Sequence, residues 1–193
     1  MPIPARSRPH RHDGARAPAR AFRLRVALVA AALLMVLAIV CAGPTHAAAP
    51  EPWRGGPTPP LVLKDLDGRE VRLDAYRGRT VVVNFWATWC GPCVDEMPSL
   101  MRLRERFAGQ GLEVIGVNFQ ENAARIRPFL DRHGLAFPVV RDHDGSARSG
   151  WGVSVFPSSF VIAPDQSVAF VVVGEADWSG PPIEPRIRAL VFR

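Results

Sequence analysis

Cysteine is scarce in this chain: 193 residues hold three, Cys41, Cys90 and Cys93, with no second Cys pair and no cluster among the five histidines. A structural zinc site closes with four ligands, so the sequence offers half of one and no metal site is expected. Missing too are an internal repeat, a Met-rich stretch and an Arg-Arg pair. Repeat arrays, methionine-assisted copper handling and twin-arginine export therefore have no support. A cationic face on the body of the chain is also lacking. The formal net charge is +6, yet residues 1–25 hold seven arginines against Asp13 alone, and the rest balances 17 basic against 17 acidic side chains. A binder of phosphate backbone concentrates positive charge on its folded domain. Here the excess sits in a tail, so nucleic acid is disfavoured as a partner.

That basic tail precedes an uncharged run, VALVAAALLMVLAIVCAG, over residues 26–43. A basic flank followed by an apolar stretch reads as a signal peptide core or a signal anchor, with the arginines on the cytoplasmic side. Its 18 residues are long for a signal-peptide core and just enough to span, where roughly 20 are needed on average. Thr45-His46-Ala47 offers a small-x-small cleavage site before Ala48, so both an uncleaved anchor and a removed signal remain open. Cys41 follows Ile39 and Val40 where a lipidation signal wants small residues, and a buried thiol is the better reading. Residues 44–60, rich in Pro, Ala and Gly, read as a linker, because such a composition buries little apolar surface. A single globular domain is expected over residues 61–193, preceded by the basic n-region 1–25 and the apolar segment 26–43.

Within the domain the periodicity alternates between strand and helix. Residues 61–63 and 70–73 flank an Asp67-Gly68 turn and suggest a hairpin. The runs TVVVNFW (80–86) and LEVIGVNF (112–119) are short, apolar and β-branched, as in buried central strands. Between them Met97, Leu100, Leu103 and Phe107 recur at helical spacing from Cys90 onward, with Pro98 expected to kink the helix. A second helix is expected over 121–133, ended by Gly134, then a short strand near 137–140, a turn at 142–145 and a short helix to Trp151. Strands at 158–162 and 168–173 and a closing helix over 185–192 complete a mixed α/β sheet with helices on both faces.

The chemistry concentrates in Trp89-Cys90-Gly91-Pro92-Cys93, where a buried strand hands over to a helix. Unpaired N–H groups and partial positive charge at a helix N-terminus favour a thiolate, lowering a cysteine pKa from about 8.5 into the range of roughly 3.5–7.5. Two cysteines three residues apart share one helical turn, so a mixed disulfide on Cys90 can be resolved by Cys93. Pro92 suits the first turn, which has no use for its N–H. A static structural bridge competes with this reading, but so short a loop adds little stability by entropy. Elsewhere the ordinary readings hold: Asp142-x-Asp144-Gly145 is a turn lacking the rest of a calcium loop, His133 a helix-end residue, Trp151 and Phe156 core or groove residues, and Arg102, Arg104 and Arg106 a solvated face.

The stretch VVVNFWATWCGPCVDEMPSL (81–100) resembles the active-site segment of the TlpA/ResA-like, cytochrome-maturation branch of the thioredoxin superfamily. Residues 155–162, VFPSSFVI, look like that family's cis-proline loop, and residues 116–140 like its central insertion. The resemblance implies a thioredoxin fold with an N-terminal β-hairpin, in a domain that faces the periplasm on an inner-membrane anchor or free of it. It implies a thiol–disulfide oxidoreductase, usually a reductant of exported thiol proteins such as apocytochrome c or copper-site proteins, recharged by a transmembrane thiol electron donor. No cofactor is implied. Cys90 would be the exposed nucleophile and Cys93 the buried resolving thiol, with Trp89, Gly91 and Pro92 flanking the site. Pro157 would be the cis-proline opposite them, leaving the main chain of Phe156 to pair with substrate. Glu96, three residues after Cys93, would be partly buried and would carry a proton to or from Cys93. Where general thioredoxins bury an aspartate the chain has Asn84, which cannot act as a base. Gly91-Pro92 matches the general thioredoxin pair, itself strongly reducing. Two other activities compete: a copper metallochaperone or assembly factor using the Cys90/Cys93 dithiol, and a thiol peroxidase acting through a sulfenic acid on Cys90.

Overall fold

The computed structural model describes residues 48–192. The basic segment, the apolar run and Cys41 lie outside the described residues, and among those described no helix is long and apolar enough to cross a membrane.

Seven strands form one sheet in the order β2-β1-β5-β4-β3-β6-β7. The hairpin β1 (Val62–Asp65) and β2 (Glu70–Arg72) turns on Asp65, whose Oδ1 accepts from the N–H groups of Asp67 and Arg69, each at 2.8 Å. A 3-10 turn (Leu73–Tyr76) leads into β3 (Thr80–Trp86), which is buried along its whole length and lies between parallel β4 (Leu112–Phe119) and antiparallel β6 (Ser158–Ile162). Burial on both faces is what its unbroken apolar run requires. Gly116 in β4 has a packing reason: a Cβ there would sit 2.7 Å from Phe137 Cε2 and 2.9 Å from Trp86 Nε1. The fifth strand, β5 (Val139–Asp142), runs parallel to β4, and β7 (Val168–Val173) closes the far edge against β6.

Helix α1 (Gly91–Arg106) follows β3 and runs through Pro98 as a single helix; it stops at Phe107, ahead of Gly109. α2 (Ala123–His133) is capped at its start by the Asn122 side chain, which accepts from the N–H of Arg125, and at its end by left-handed Gly134. Both ends match what Asn and Gly favour at helix termini. α3 (Ser146–Gly150) is short, and α4 (Glu184–Val191) closes the domain. The stretch 116–140 likened to an insertion thus holds the second half of β4, all of α2 and the start of β5.

Alternation along β3 divides the core. Val82 and Trp86 point to a layer formed by Met97, Leu100 and Leu103 of α1, Ile126 and Phe129 of α2, and Ile187 and Leu190 of α4. Val81, Val83 and Phe85 point to the other face, covered by Leu61, Leu73, Trp151 and Val153. The helices are therefore distributed unequally: three pack one face, while the second is closed by the 3-10 turn, the end of α3 and the chain before β1. This corrects the reading of residues 48–60 as an unordered linker. Glu51 bridges Val171 of β7 through two hydrogen bonds of 2.7 and 2.8 Å. The Trp53 ring meets Phe160 edge-on at 5.5 Å, and Thr58 Oγ1 donates to the carbonyl of Gln166 at 2.7 Å. One tryptophan supplies the apolar area that the composition as a whole lacks.

Candidate active site

Cys90 and Cys93 are joined in a disulfide with their Cα atoms 5.3 Å apart. Cys90 is the N-cap of α1, and the N–H of Cys93 is directed at its Sγ at 3.3 Å. The sulfur thus occupies the place where α1 presents unpaired amides, the setting that stabilises a thiolate once the bond opens. Cys93 is fully buried and Cys90 is 6% exposed. Cys90 is the accessible member of the pair but is recessed rather than openly exposed. Its rim consists of exposed Gly91 and Pro92, in the first turn of α1, and Trp89, which is 59% exposed.

The strand register places the second half of the site. Phe85 faces Ser158 across the antiparallel β3–β6 pair, so the residues before Ser158 run alongside the segment that leads into Cys90. There the Phe156–Pro157 peptide is cis, as the resemblance implied. Phe156 meets Trp89 edge-on with ring centroids 5.9 Å apart. Its own N–H and carbonyl have no hydrogen-bond partner among the described residues. A second cis bond, Pro181–Pro182, had no signal in the sequence reading.

Beneath the cysteines lies Glu96, 2% exposed and three residues along α1 from Cys93. Its Oε1 accepts from Asn84 Nδ2 at 2.7 Å, and its Oε2 accepts from Trp178 Nε1 and the Ala176 N–H, each at 3.2 Å. Burial pushes its pKa up to about 7, against the pull of those three donors and with a smaller push from the nearby charge of Glu175. Asn84 Nδ2 also donates to Ser159 Oγ at 2.8 Å, while its Oδ1 is buried without a partner. Asn84 does not replace the aspartate of general thioredoxins as a base; it is a donor that orients the carboxylate of Glu96.

A second buried carboxylate, Glu121, escaped the sequence reading, which took it as the start of a helix. It accepts from the Thr88 N–H at 2.7 Å, from Thr88 Oγ1 at 2.5 Å and from Asn118 Nδ2 at 2.8 Å, and pairs with Arg125 at 2.6 Å. Desolvation opposes its charge, but the hydrogen bonds from Thr88 and Asn118 and the Arg125 cation hold its pKa below the usual carboxylate value. Thr88 lies two residues before Cys90, so Glu121 ties down the loop that leads into the cysteine pair. The only sequence signal was an acid just after a buried strand, which is too common to read.

The remaining candidates fall outside the site. Asp142 is buried and its carboxylate accepts from the N–H groups of Ala147 and Arg148 at 3.1 and 2.7 Å, capping α3 rather than holding an ion. His133 stacks on Phe129 with centroids 4.3 Å apart, and Trp151 is buried against Phe85 and Phe160. Among the described residues no group of three or more His, Cys, Asp or Glu side chains is placed to hold a metal ion.

With this geometry in view, the profile of the AhpC/TSA family matches residues 55–171, more than half of the chain. The sequence is 40% identical over 120 residues to the thiol-disulfide oxidoreductase ResA of Geobacillus thermodenitrificans, covering 62% of this chain and 69% of that protein. It is 37% identical over 120 residues to the protein of the same name from Bacillus subtilis, covering 62% and 67%. Among solved structures, a Chlorobium tepidum protein described as a thiol:disulfide interchange protein DsbE superposes with a TM-score of 0.66 at 28% identity, covering 72% of this chain and 98% of that one. A thioredoxin family protein from the same organism superposes with a TM-score of 0.61 at 24% identity, covering 72% and 99%. The last shares the fold alone.

Proposed function

The chain belongs to the ResA-like family of thiol–disulfide oxidoreductases within the thioredoxin-fold AhpC/TSA group, and from that premise we propose that it reduces disulfides in exported proteins, apocytochrome c among them. The observation that carries the reading is the placement of Cys90 as the cap of α1, with Cys93 one turn behind it and fully buried.

The electrons balance as follows. The Cys90 thiolate attacks one sulfur of the client disulfide; a Cys90–client bond forms and the other client sulfur leaves as a thiolate. Cys93 gives up its proton and attacks Cys90 Sγ, releasing the second client sulfur and forming the Cys90–Cys93 bond present in this structure. Two electrons pass to the client, and a dithiol donor in the membrane restores the pair. Glu96 is the proton carrier for Cys93, since a carboxyl poised near pH 7 and buried one turn along α1 can take a proton there and return it. Trp89, Gly91 and Pro92 form the contact rim, while Phe156, held by cis Pro157, offers its main chain to an extended client strand.

The division of the chain follows: a basic cytoplasmic segment (1–25), an apolar segment (26–43) that directs export as an anchor or a removed signal, and a redox domain on the periplasmic side. The composition of residues 26–43 and the arginines before them support this placement. The deciding experiment is covalent capture. With Cys93→Ser, Cys90 attacks but cannot be released, so clients accumulate as mixed disulfides that separate on non-reducing gels and yield their identity on reduction. Absence of any adduct in cells grown under oxidising and reducing conditions alike would refute the exchange role.

A further inference from the structure

Beside the redox pair lies a cation that the mechanism above does not use. Trp89, Phe156 and Phe119 form a continuous aromatic ridge, with centroids 5.9 Å apart between Trp89 and Phe156 and 5.2 Å between Phe156 and Phe119. The Arg148 guanidinium closes its far end, with Cζ 5.4 Å from the Phe119 centroid and 6.0 Å from that of Phe156. The topology brings these residues together: Phe119 ends β4, Phe156 precedes β6, and Arg148 lies on α3 after β5. The guanidinium stacks on both rings yet pairs with no carboxylate among the described residues. Its Nε is buried without a partner. The acids around it are committed elsewhere: Asp142 to the amides of α3, Asp144 to the N–H of Ser146 at 3.0 Å, and Glu121 to Arg125 at 2.6 Å.

We propose that Arg148 is a specificity determinant that takes the carboxylate of an acidic client residue close to the client's reacting cysteine. This rests on the reading of Cys90 as the attacking sulfur and of Phe156 as the strand that receives the client. A client segment laid along Phe156 has Trp89 on one side and Arg148 on the other. Extended chain advances about 3.3 Å per residue, so a carboxylate within two or three positions of the cysteine falls opposite the guanidinium. The aromatic ridge takes the apolar side chains between, and the stacked, preorganised cation forms a charge-assisted hydrogen bond at less entropic cost than a mobile surface arginine. The client class is therefore an extended segment with apolar residues and one acid on one side of its cysteine.

The test uses short peptides whose single cysteine is blocked as a disulfide with a chromogenic thiol, offered to the reduced protein. Glu, Gln or Lys is placed at each of the three positions on either side. The wild type should release thiol from Glu peptides about five- to tenfold faster than from the Gln peptides in kcat/KM, and from Lys peptides slowest. The preference should be confined to one side of the cysteine and should shrink with added salt. Arg148→Gln should bring the Glu-to-Gln ratio to one, and Arg148→Lys should restore part of it. A ratio near one in the wild type, or one unchanged in Arg148→Gln, overturns the assignment. Because the readout is a ratio within each variant, a general loss of activity cannot imitate it. Release from none of the peptides by the wild type would instead overturn the exchange activity itself.

Discussion

Glu96 is held in a form that depends on pH. Its folded pKa of about 7 lies above the ordinary carboxylate value of 4.5, so the native state binds a proton that the unfolded chain releases. Its contribution to stability is complete below pH 4.5 and is lost as pH rises through 7, amounting to about 3 kcal/mol. Glu121 has the opposite sign: its folded pKa is lowered, so its contribution is present at neutral pH and lost only in acid. Urea unfolding at pH 5.5 and pH 8 should therefore find the wild type less stable at the higher pH, and Glu96→Gln should remove most of that difference. The glutamine amide can be accommodated because Asn84, whose Oδ1 has no partner, can turn over and accept from it. The same variant, with Cys93 intact, should slow resolution of the Cys90–client mixed disulfide above about pH 6 and flatten the pH–rate profile; an unchanged profile would take Glu96 out of the proton path. For Glu121 the expectation is kinetic as well as structural. Glu121→Gln loosens Thr88 and should cost about 1–3 kcal/mol while slowing the first attack by Cys90, measured as the initial rate on a small disulfide. The two glutamates differed in legibility. Glu96 could be found because it stands three positions after Cys93 on the same helix, where the family resemblance also implies a glutamate near the pair, whereas Glu121 meets Thr88 only across 33 positions of chain, a pairing made by the parallel register of β3 and β4.

Regular elements with strong periodicity were open to sequence reading: β3, β4, α1 and α2 stand within two residues of where apolar spacing and capping residues put them. The strap before β1 was not. It is held at scattered points, a bridge from Glu51 to β7, the Trp53 ring on Phe160, the Thr58 hydroxyl on Gln166 and the Pro60 carbonyl under Trp151, so no period could announce it, and its prolines and glycines argued for disorder. The strap closes the face of the sheet that only α3 and the 3-10 turn otherwise cover. Trp53→Ala should destabilise the domain by about 1–3 kcal/mol, below the roughly 3–5 kcal/mol of a fully buried aromatic because Trp53 is only half-buried. A chain begun at residue 61 should melt well below one begun at residue 48. Equal melting temperatures would return residues 48–60 to the status of a linker. The cysteine pair lies on the opposite side of β3, in the layer of α1, so the rate of exchange at low temperature should change far less than the stability.

Charge and polarity are divided along the whole chain in a way that bears on where the redox domain works. All of the +6 net charge is carried by residues 1–25, the uncharged run follows at once, and the remainder is balanced. An arginine-rich segment resists transfer across a bilayer held negative inside, while a neutral domain has no such preference and follows the apolar segment outward. The arrangement fits the chemistry, because a disulfide reductant has clients where disulfides form, outside the reducing cytoplasm. A reporter that is active only after export, fused behind Arg193, should therefore be active, and a reporter active only in the cytoplasm should be silent at the same junction. Moving the charge tests the cause as well as the outcome: replacing the seven arginines of residues 1–25 with glutamine, and placing as many arginines just after residue 43, should reduce the exported signal and raise the cytoplasmic one. A cytoplasmic signal from the unaltered chain would remove the domain from its proposed clients and leave the cysteine pair to act on cytosolic disulfides.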